Sequence, residues 1–306
     1  MNELDSILVA SDLTEASNLV VRTAGQIAAA TGARLHLVHA FDIPAPSGPV
    51  QDSDDRPNFL DRVRRAREAL NSQVQSEVPE GVTIGECRVE IYVAEKAIAE
   101  LAESLQAQLI VVGPHGRRRM GDDFLGGTAD RVIRAARIPV LVVRAAIPLP
   151  LQRVVTPVDR SEVATSALEV AIDWAGALAP EGSPAEVIAV HILPRALNTP
   201  ELNLDPEEIR QGIHREVERV AEQVLPETRV TVLEEVRWGE SAVDEIVSYL
   251  QEAPADLVVM GTHGPGIVKR FLIGSVASGV ARQAPCSVLL VPPGMRRAGG
   301  GERSTS

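Results

Sequence analysis

The strongest constraint on this fold is that the chain repeats itself. The pattern Gly113-Pro114-His115-Gly116, nine residues, Gly126-Gly127-Thr128 returns 148 positions later as Gly261-Thr262-His263-Gly264, nine residues, Gly274-Ser275. Each copy follows an apolar run, Leu109–Val112 or Leu257–Met260, and each opens a helical pattern. Ser6-Ile7-Leu8-Val9-Ala10-Ser11-Asp12 answers to Arg153-Val154-Val155-Thr156-Pro157-Val158-Asp159. Arg34–Ala40 answers to Glu186–Ile192, and Arg137–Val143 to Ala284–Val291. Five elements in one order, with small drifts in offset from loop insertions, imply an internal duplication. A length of 306 residues suits two domains, each able to bury a core. The seam falls at Ala145-Ala146-Ile147-Pro148-Leu149-Pro150, so the expected domains are 1–146 and 151–293. The Gly-, Arg- and Ser-rich remainder, 294–306, reads as a disordered tail.

Within each half, short β-branched runs alternate with longer helical patterns, the signature of βαβ units and a parallel sheet. Strands are expected near 6–10, 34–40, 82–92, 109–112 and 139–143, then 153–156, 185–192, 228–236, 256–260 and 287–291. Helices are expected near 14–31, 58–77, 94–106 and 127–136, then 161–179, 206–224, 240–252 and 275–283. Leu109–Val112 and Leu257–Met260 are apolar throughout, as strands covered on both faces must be. The fold class is therefore α/β: two tandem, doubly wound, parallel five-stranded sheets of Rossmann-like type.

Such sheets bind ligands at the carboxyl ends of their strands, near the switch in strand order. Asp12, Asp159 and both glycine loops stand at those ends. Gly274-Ser275 places backbone N–H groups and a hydroxyl at a helix N-terminus, where anions are favoured. That is the layout of a phosphate-cradling loop. Asp12 and Asp159 each precede by two positions a hydroxyl residue, Thr14 or Ser161, suited to capping the next helix. Each aspartate therefore reads either as a turn former or as a ligand contact. His115 and His263, inside the loops, either touch phosphate or hold the loop's shape. His39 and His191, at equivalent strand ends, read as packed, hydrogen-bonded residues.

Several site classes are excluded by inspection. No Gly-x-x-x-x-Gly-Lys-Ser/Thr loop is present, and the turns after the first strands, Ser11–Thr14 and Val158–Ser161, hold no glycine. There is no Gly-x-Ser-x-Gly elbow and no His-Glu-x-x-His helix. Cys87 and Cys286 lie at non-equivalent places, giving neither a disulfide framework nor a metal pattern. A net charge of −12 argues against binding to nucleic acid or an anionic membrane surface. The seam is far too short to span a bilayer and is bracketed by Arg144 and Arg153. The start, Met1–Asp5, is acidic and leads straight into a strand; with no secretory signal visible, a cytoplasmic protein is expected.

Gly-x-x-Gly, nine residues, Gly-Ser/Thr, between a strand and a helix and followed by the strand Pro285-Cys286-Ser287-Val288-Leu289-Leu290-Val291, resembles the universal stress protein family. The match over both halves resembles its tandem, two-domain members. The resemblance implies ATP in the second half, with Gly261, His263, Gly264, Gly274, Ser275 and Val276 around the phosphates and ribose. It implies Asp159, beside Pro157, facing the nucleoside, the backbone of Val190 at the adenine edge, and Met260 lining the pocket. Mg²⁺ would accompany the triphosphate, held largely by the phosphates. In the first half Ala10, Asp12, Val38, Gly113, His115, Gly116 and Gly126 remain in place. Gly127 replaces the serine there, although Thr128 follows. Arg117-Arg118-Arg119 stand in that loop, either as phosphate ligands or as a solvated basic stretch. The first site is thus the weaker one.

The last strand of each half, Val140–Val143 and Val288–Val291, is apolar on both faces yet belongs at a sheet edge, so something must cover it. The resemblance implies pairing of these edges across a two-fold, here within one chain as a pseudo-dimer, and leaves whole chains free to associate further as a homodimer. Three functions follow: a non-catalytic ATP-binding stress regulator, a nucleotide-free assembly module, and a weak ATP hydrolase. The hydrolase lacks an obvious general base, its only candidate loop cations being Lys269 and Arg270.

Overall fold

The computed structural model describes residues 4–40, 56–114, 125–159, 161–195, 206–224, 229–263 and 273–295. In the first half β1 (Ser6–Ala10), α1 (Glu15–Thr31), β2 (Arg34–Ala40), α2 (Arg56–Glu77), β3 (Ile84–Glu90), α3 (Ala94–Ser104), β4 (Leu109–Val112), α4 (Gly127–Ala135) and β5 (Val140–Val142) alternate. The second half repeats them as β6 (Arg153–Pro157), α5 (Glu162–Ala177), β7 (Ala185–Pro194), α6 (Pro206–Val224), β8 (Val230–Gly239), α7 (Ala242–Glu252), β9 (Leu257–Gly261), α8 (Ser275–Gln283) and β10 (Ser287–Val291). Most bounds fall within two residues of the sequence-based expectation. The clear extensions are at the carboxyl ends of β7 and β8, which pair in parallel without interruption from Ala185↔Val230 to Pro194↔Gly239.

The two expected five-stranded sheets are joined through their last strands, the pairing expected of those apolar edges, into one sheet. Its ten strands run β3-β2-β1-β4-β5-β10-β9-β6-β7-β8. Every pairing within a half is parallel; β5 and β10 pair antiparallel, Leu141 facing Leu289 and flanked by Val142↔Val288 and Val140↔Leu290. Alternate residues of every strand feed opposite faces. Ile7, Val9, Leu37, Leu141, Val154, Val259 and Leu289 pack beneath α1, α2, α5 and α6. Leu8, Ile110, Val140, Val142, Val155, Val258 and Leu290 pack beneath α3, α4, α7 and α8. Each of these two cores therefore runs through both halves.

The helices fit their faces by spacing. α8 buries Ala277, Val280 and Ala281, and α3 buries Ala97, Ile98, Leu101 and Ala102, single stripes of 3.6-residue period. α1 ends where Gly32 adopts φ 77° and donates its N–H to the Ala28 carbonyl at 2.9 Å, a left-handed cap that favours glycine. The seam is a packed element: Ile147 is 4% exposed, Leu151 is fully buried, and the Leu151 N–H meets the Leu178 carbonyl at 2.7 Å. Past β10, Gly294 turns at φ 83° and Met295 packs against the core shared by α1, α2, α5 and α6; residues 296–306 lie outside the described part. Among the described residues no helix is long and apolar enough to cross a membrane.

Because each core is shared, the halves should unfold together. Both tryptophans, Trp174 and Trp238, belong to the second half. Leu141→Ala in the first half should cost about 2–5 kcal/mol, the range for a buried leucine truncation. Tryptophan fluorescence and far-ultraviolet circular dichroism should shift together in urea; an unmoved fluorescence transition would mean independent halves.

Candidate functional site

Inside each half the order β3-β2-β1-β4-β5, repeated as β8-β7-β6-β9-β10, reverses direction between the first and fourth strands. Pairing there ends early. β6 and β9 pair only at Val154↔Leu257 and Val155↔Val258, and β1 and β4 only as far as Val9↔Val111. Beyond Val155 and Val258 no register pair joins the two strands, and Pro157–Asp159 and Met260–His263 continue past the last rung of the ladder at the switch in strand order. This is where open α/β sheets receive ligands.

The start of α8 is tied to the second of these strand ends. The Gly274 N–H closes the base of the glycine loop on the Thr262 carbonyl at 2.7 Å, and the Thr262 N–H reaches the Val291 carbonyl at 2.9 Å. Gly274 is extended (φ −62°, ψ 150°), and no side chain caps the helix. The first intrahelical bond runs from the Ser278 N–H to the Gly274 carbonyl, so the amides of Ser275, Val276 and Ala277 precede the ladder. Ser275 is exposed and Val276 half-buried, and the first turn carries no carboxylate. These groups form the positive end of a helix dipole at the switch point.

α4 has the same geometry with different chemistry. The Gly126 N–H meets the Pro114 carbonyl at 2.6 Å, Gly113 is half-buried beside it, and Gly127 and Thr128 are exposed. Asp130 lies in this first turn, where α8 has Ser278, and brings a negative charge to the anion-favouring end. Arg134 pairs with it at 2.7 Å. A Cβ at Gly127 would approach only the tip of the Arg131 side chain, at 3.1 Å.

The aspartates serve the turns. Asp159 Oδ1 accepts the Ser161 N–H at 3.0 Å and its hydroxyl at 2.5 Å, while Ser161 Oγ accepts the Ala164 N–H and caps α5. Asp12 Oδ1 likewise accepts the Thr14 N–H at 3.0 Å and hydroxyl at 2.6 Å. Thr14 makes no side-chain cap, so only Ser161 caps as expected. Asp159 is exposed, with Oδ2 left at the strand tip, whereas Asp12 is half-buried. His39 and His191 direct Nδ1 at the Ser11 and Val158 carbonyls, 2.7 and 2.6 Å away. A carbonyl only accepts, so each Nδ1 carries the proton, and both rings brace the strand tip that bears the aspartate. The two tips are stiffened differently. The Ser11 hydroxyl donates to Gln73 Oε1 at 2.6 Å, and Gln73 Nε2 bonds Ser17 and Asn18, a buried network joining β1, α1 and α2. In the second half the corresponding space is an apolar cavity of about 10 Å³ beside Val158, Leu168, Ile213 and Val220, too small for an organic ligand.

His263 is fixed by a 2.8 Å contact between its Nδ1 and Thr262 Oγ1. Burial, and then the positive charge of Arg134 in the other half, hold its imidazole below the ordinary histidine range. The neutral form is therefore favoured near pH 7, and the ring is a polar group rather than a cation. Burial pushes the Cys286 thiol up to about 12, so it is no nucleophile. Among the described residues no group of histidine, cysteine and carboxylate side chains is arranged to hold a metal.

Three expectations need correction or a limit. Val190 is 1% exposed and its carbonyl accepts the Val158 N–H at 2.9 Å, so its backbone is committed to the sheet rather than offered to an adenine edge. Val38 is committed in the same way to the Ser11 N–H. The residue of β7 that reaches past the tip of β6 is Ile192, half-buried against the same core as Met260 and Val276. Gly261 is held by packing whatever it meets in the site: a Cβ there would lie 2.6 Å from Val163 Cγ1 and 3.2 Å from the Val163 backbone. His115, Gly116 and Gly264 lie outside the described residues, as do Arg117–Arg119, Lys269 and Arg270. Of the remainder, Pro157 and Ala10 are half-buried at strand tips, and Met260, 4% exposed, lies in the core beneath α8.

The sequence profile of the universal stress protein family matches residues 3–144 and again 150–292. The chain belongs to that family. A universal stress protein of Mycolicibacterium smegmatis is 30% identical over 304 residues, covering 94% of this chain and 97% of that one. Universal stress protein Rv2005c of Mycobacterium tuberculosis is 27% identical over 81% of this chain and 80% of its own length. The crystal structure of a universal stress protein from Archaeoglobus fulgidus superposes with a TM-score of 0.67 at 16% identity, covering 96% of this chain and all of that one. That likeness is one of fold.

Since Gly261 answers to Val163, Gly261→Ala should destabilise the protein by about 1–3 kcal/mol with no ligand present, the usual cost of overpacking. Thermal or urea unfolding of the ligand-free protein measures it; an unchanged midpoint would return this glycine to a ligand role.

Proposed function

We propose that the second half binds an adenine nucleotide, ATP with Mg²⁺, and that the protein is a regulatory member of its family rather than an enzyme. The observation that carries this reading is the uncapped start of α8 at the switch point, where the amides of Ser275–Ala277 precede the helical ladder and Ser275 is exposed. The phosphates sit at that helix end, together with Gly274 and the loop through His263 and Gly264. The nucleoside lies toward Pro157 and Asp159, whose Oδ2 stands at the exposed tip. Ile192, Met260 and Val276 supply an apolar wall in place of the Val190 backbone. Mg²⁺, when bound, neutralises the phosphates, and Asp159 is the nearby carboxylate.

A binding role is supported by how these groups are spent. Among the described residues, His263 Nδ1 is engaged with Thr262 and Asp159 Oδ1 with the Ser161 turn. The first half, with Gly127 for serine and Asp130 in the helix's first turn, is the poorer site. We assign the two domains to 1–146 and 151–293, a tail to 294–306, and the protein to the cytoplasm. The close packing of Gly261 on Val163 favours one alternative, an assembly module whose glycines serve packing alone.

Nucleotide released from freshly purified protein by denaturation, with titration of MgATP by calorimetry, tests the reading. About one adenine nucleotide per chain is expected, with little turnover. No nucleotide and no binding would favour the assembly module, and multiple turnovers an enzyme. Ser275→Ala should weaken binding about 10- to 100-fold, the loss of one charge-assisted hydrogen bond. Gly127→Ser, which meets only the flexible Arg131 tip, should raise the stoichiometry of the first half.

A further inference from the structure

The two ends of α8 are held by different halves of the chain. At its start the Gly274 N–H is tied to Thr262 of its own half. At its finish the holder is Arg144, which follows β5 in the first half. The guanidinium Nε donates to the Ala284 carbonyl at 2.7 Å, and Nη1 to the Ala281 carbonyl at 3.3 Å. Ala281 is in the last turn, where carbonyls lack an intrahelical partner and a cation is favoured. The Arg144 backbone is pinned to the same place. Its N–H and that of Ala145 donate to Ser287 Oγ at 3.1 and 3.3 Å, and Ser287 Oγ donates to the Ala145 carbonyl at 2.7 Å. Ser287 is 1% exposed, so this is a buried joint between the halves.

The joint has no mirror image. The β5–β10 register pairs Leu141 with Leu289, so the counterpart of Arg144 is Pro292 and that of Ser287 is Pro139. Neither proline has a side-chain donor or a backbone N–H. The half that keeps Ser275 at the start of its last helix is therefore also the half whose last helix is clamped at the far end. Nine residues at 1.5 Å each make α8 about 13 Å long, short enough to move as one rigid piece.

We infer that Arg144 is a positioning residue for the second-half anion site, and that occupancy of this site is coupled through α8 to the joint between the halves. The inference rests on the nucleotide-binding reading above. By fixing the last carbonyls of α8, Arg144 sets the direction in which the amides of Ser275–Ala277 point. An anion at those amides holds the helix from the other end and steadies the Arg144–Ser287 joint in return, because coupling between two sites is reciprocal. Nucleotide state in one half thus reaches the segment that connects it to the other.

The test uses the full-length protein and MgATP. Calorimetry should show the dissociation constant rising about 5- to 20-fold in Arg144→Ala, with Arg144→Lys between the two, since an ammonium keeps the charge but not the paired donors. Hydrogen exchange on the wild type should slow at least about threefold at the amides of Arg144 and Ala145 when MgATP saturates the protein. A variant with a lower melting temperature but an unchanged dissociation constant, and no ligand-linked change in exchange, would reduce Arg144 to a structural clamp and overturn the inference alone. Should Arg144→Ala fail to fold, wild-type exchange decides. A wild type that binds no MgATP would overturn the nucleotide reading and this inference with it.

Discussion

The antiparallel contact of β5 with β10 rests on only three register pairs, Val142↔Val288, Leu141↔Leu289 and Val140↔Leu290. Both strands are apolar on both faces, as strands buried between helix layers must be. Standing alone, each half would expose such a strand at its edge, where unpaired backbone groups beside apolar side chains invite aggregation. Joined, the strands lie at the middle of the sheet and carry both cores from one half into the other. The outer edges become β3 and β8. Glu86, Arg88 and Glu90 on one, and Glu234, Glu235 and Arg237 on the other, give them the charge that protects exposed edges.

That contact also governs what surrounds the two switch points. It brings α4 near the second-half loop, so that Arg134 acts on the His263 imidazole, and it seats Arg144 on the end of α8. Each half supplies groups to the other's surroundings, and the two sets are unequal. Duplication preserved the backbone, including the loop closures Gly126–Pro114 and Gly274–Thr262, while side chains at matching positions diverged. Ser275 became Gly127 or the reverse, Ser278 faces Asp130 across the repeat, and the Ser11–Gln73 network has an apolar cavity as its counterpart. The fold is repeated, and the chemistry it carries is not.

Much of this was legible in the residues. The alternation of apolar runs with helical stripes located the strands and helices, because burial on one or two faces imposes a period that the sequence must carry. The repeat of Asp12 at Asp159 and of the two glycine loops located both switch points, since connectivity alone puts those residues at strand ends. Val190 was misread because its hydrogen-bonding side depends on where β6 stops, a property of the ladder rather than of the valine. The packing duty of Gly261 is not legible in the sequence, because glycine serves close approach of any kind and only the position of Val163 shows what approaches.

By itself, then, the sequence determined the family, the α/β class, the doubled architecture and the ends of the strands where a ligand belongs, all consequences of local periodicity and order along the chain. The tertiary structure alone decided the register that fuses the two sheets, Leu141 on Leu289, and that Ser161 caps a helix while Thr14 does not. It also decided that Arg144 of one half closes the last helix of the other. Those outcomes depend on which groups face each other across more than a hundred residues of chain, and a linear pattern carries no distance between them.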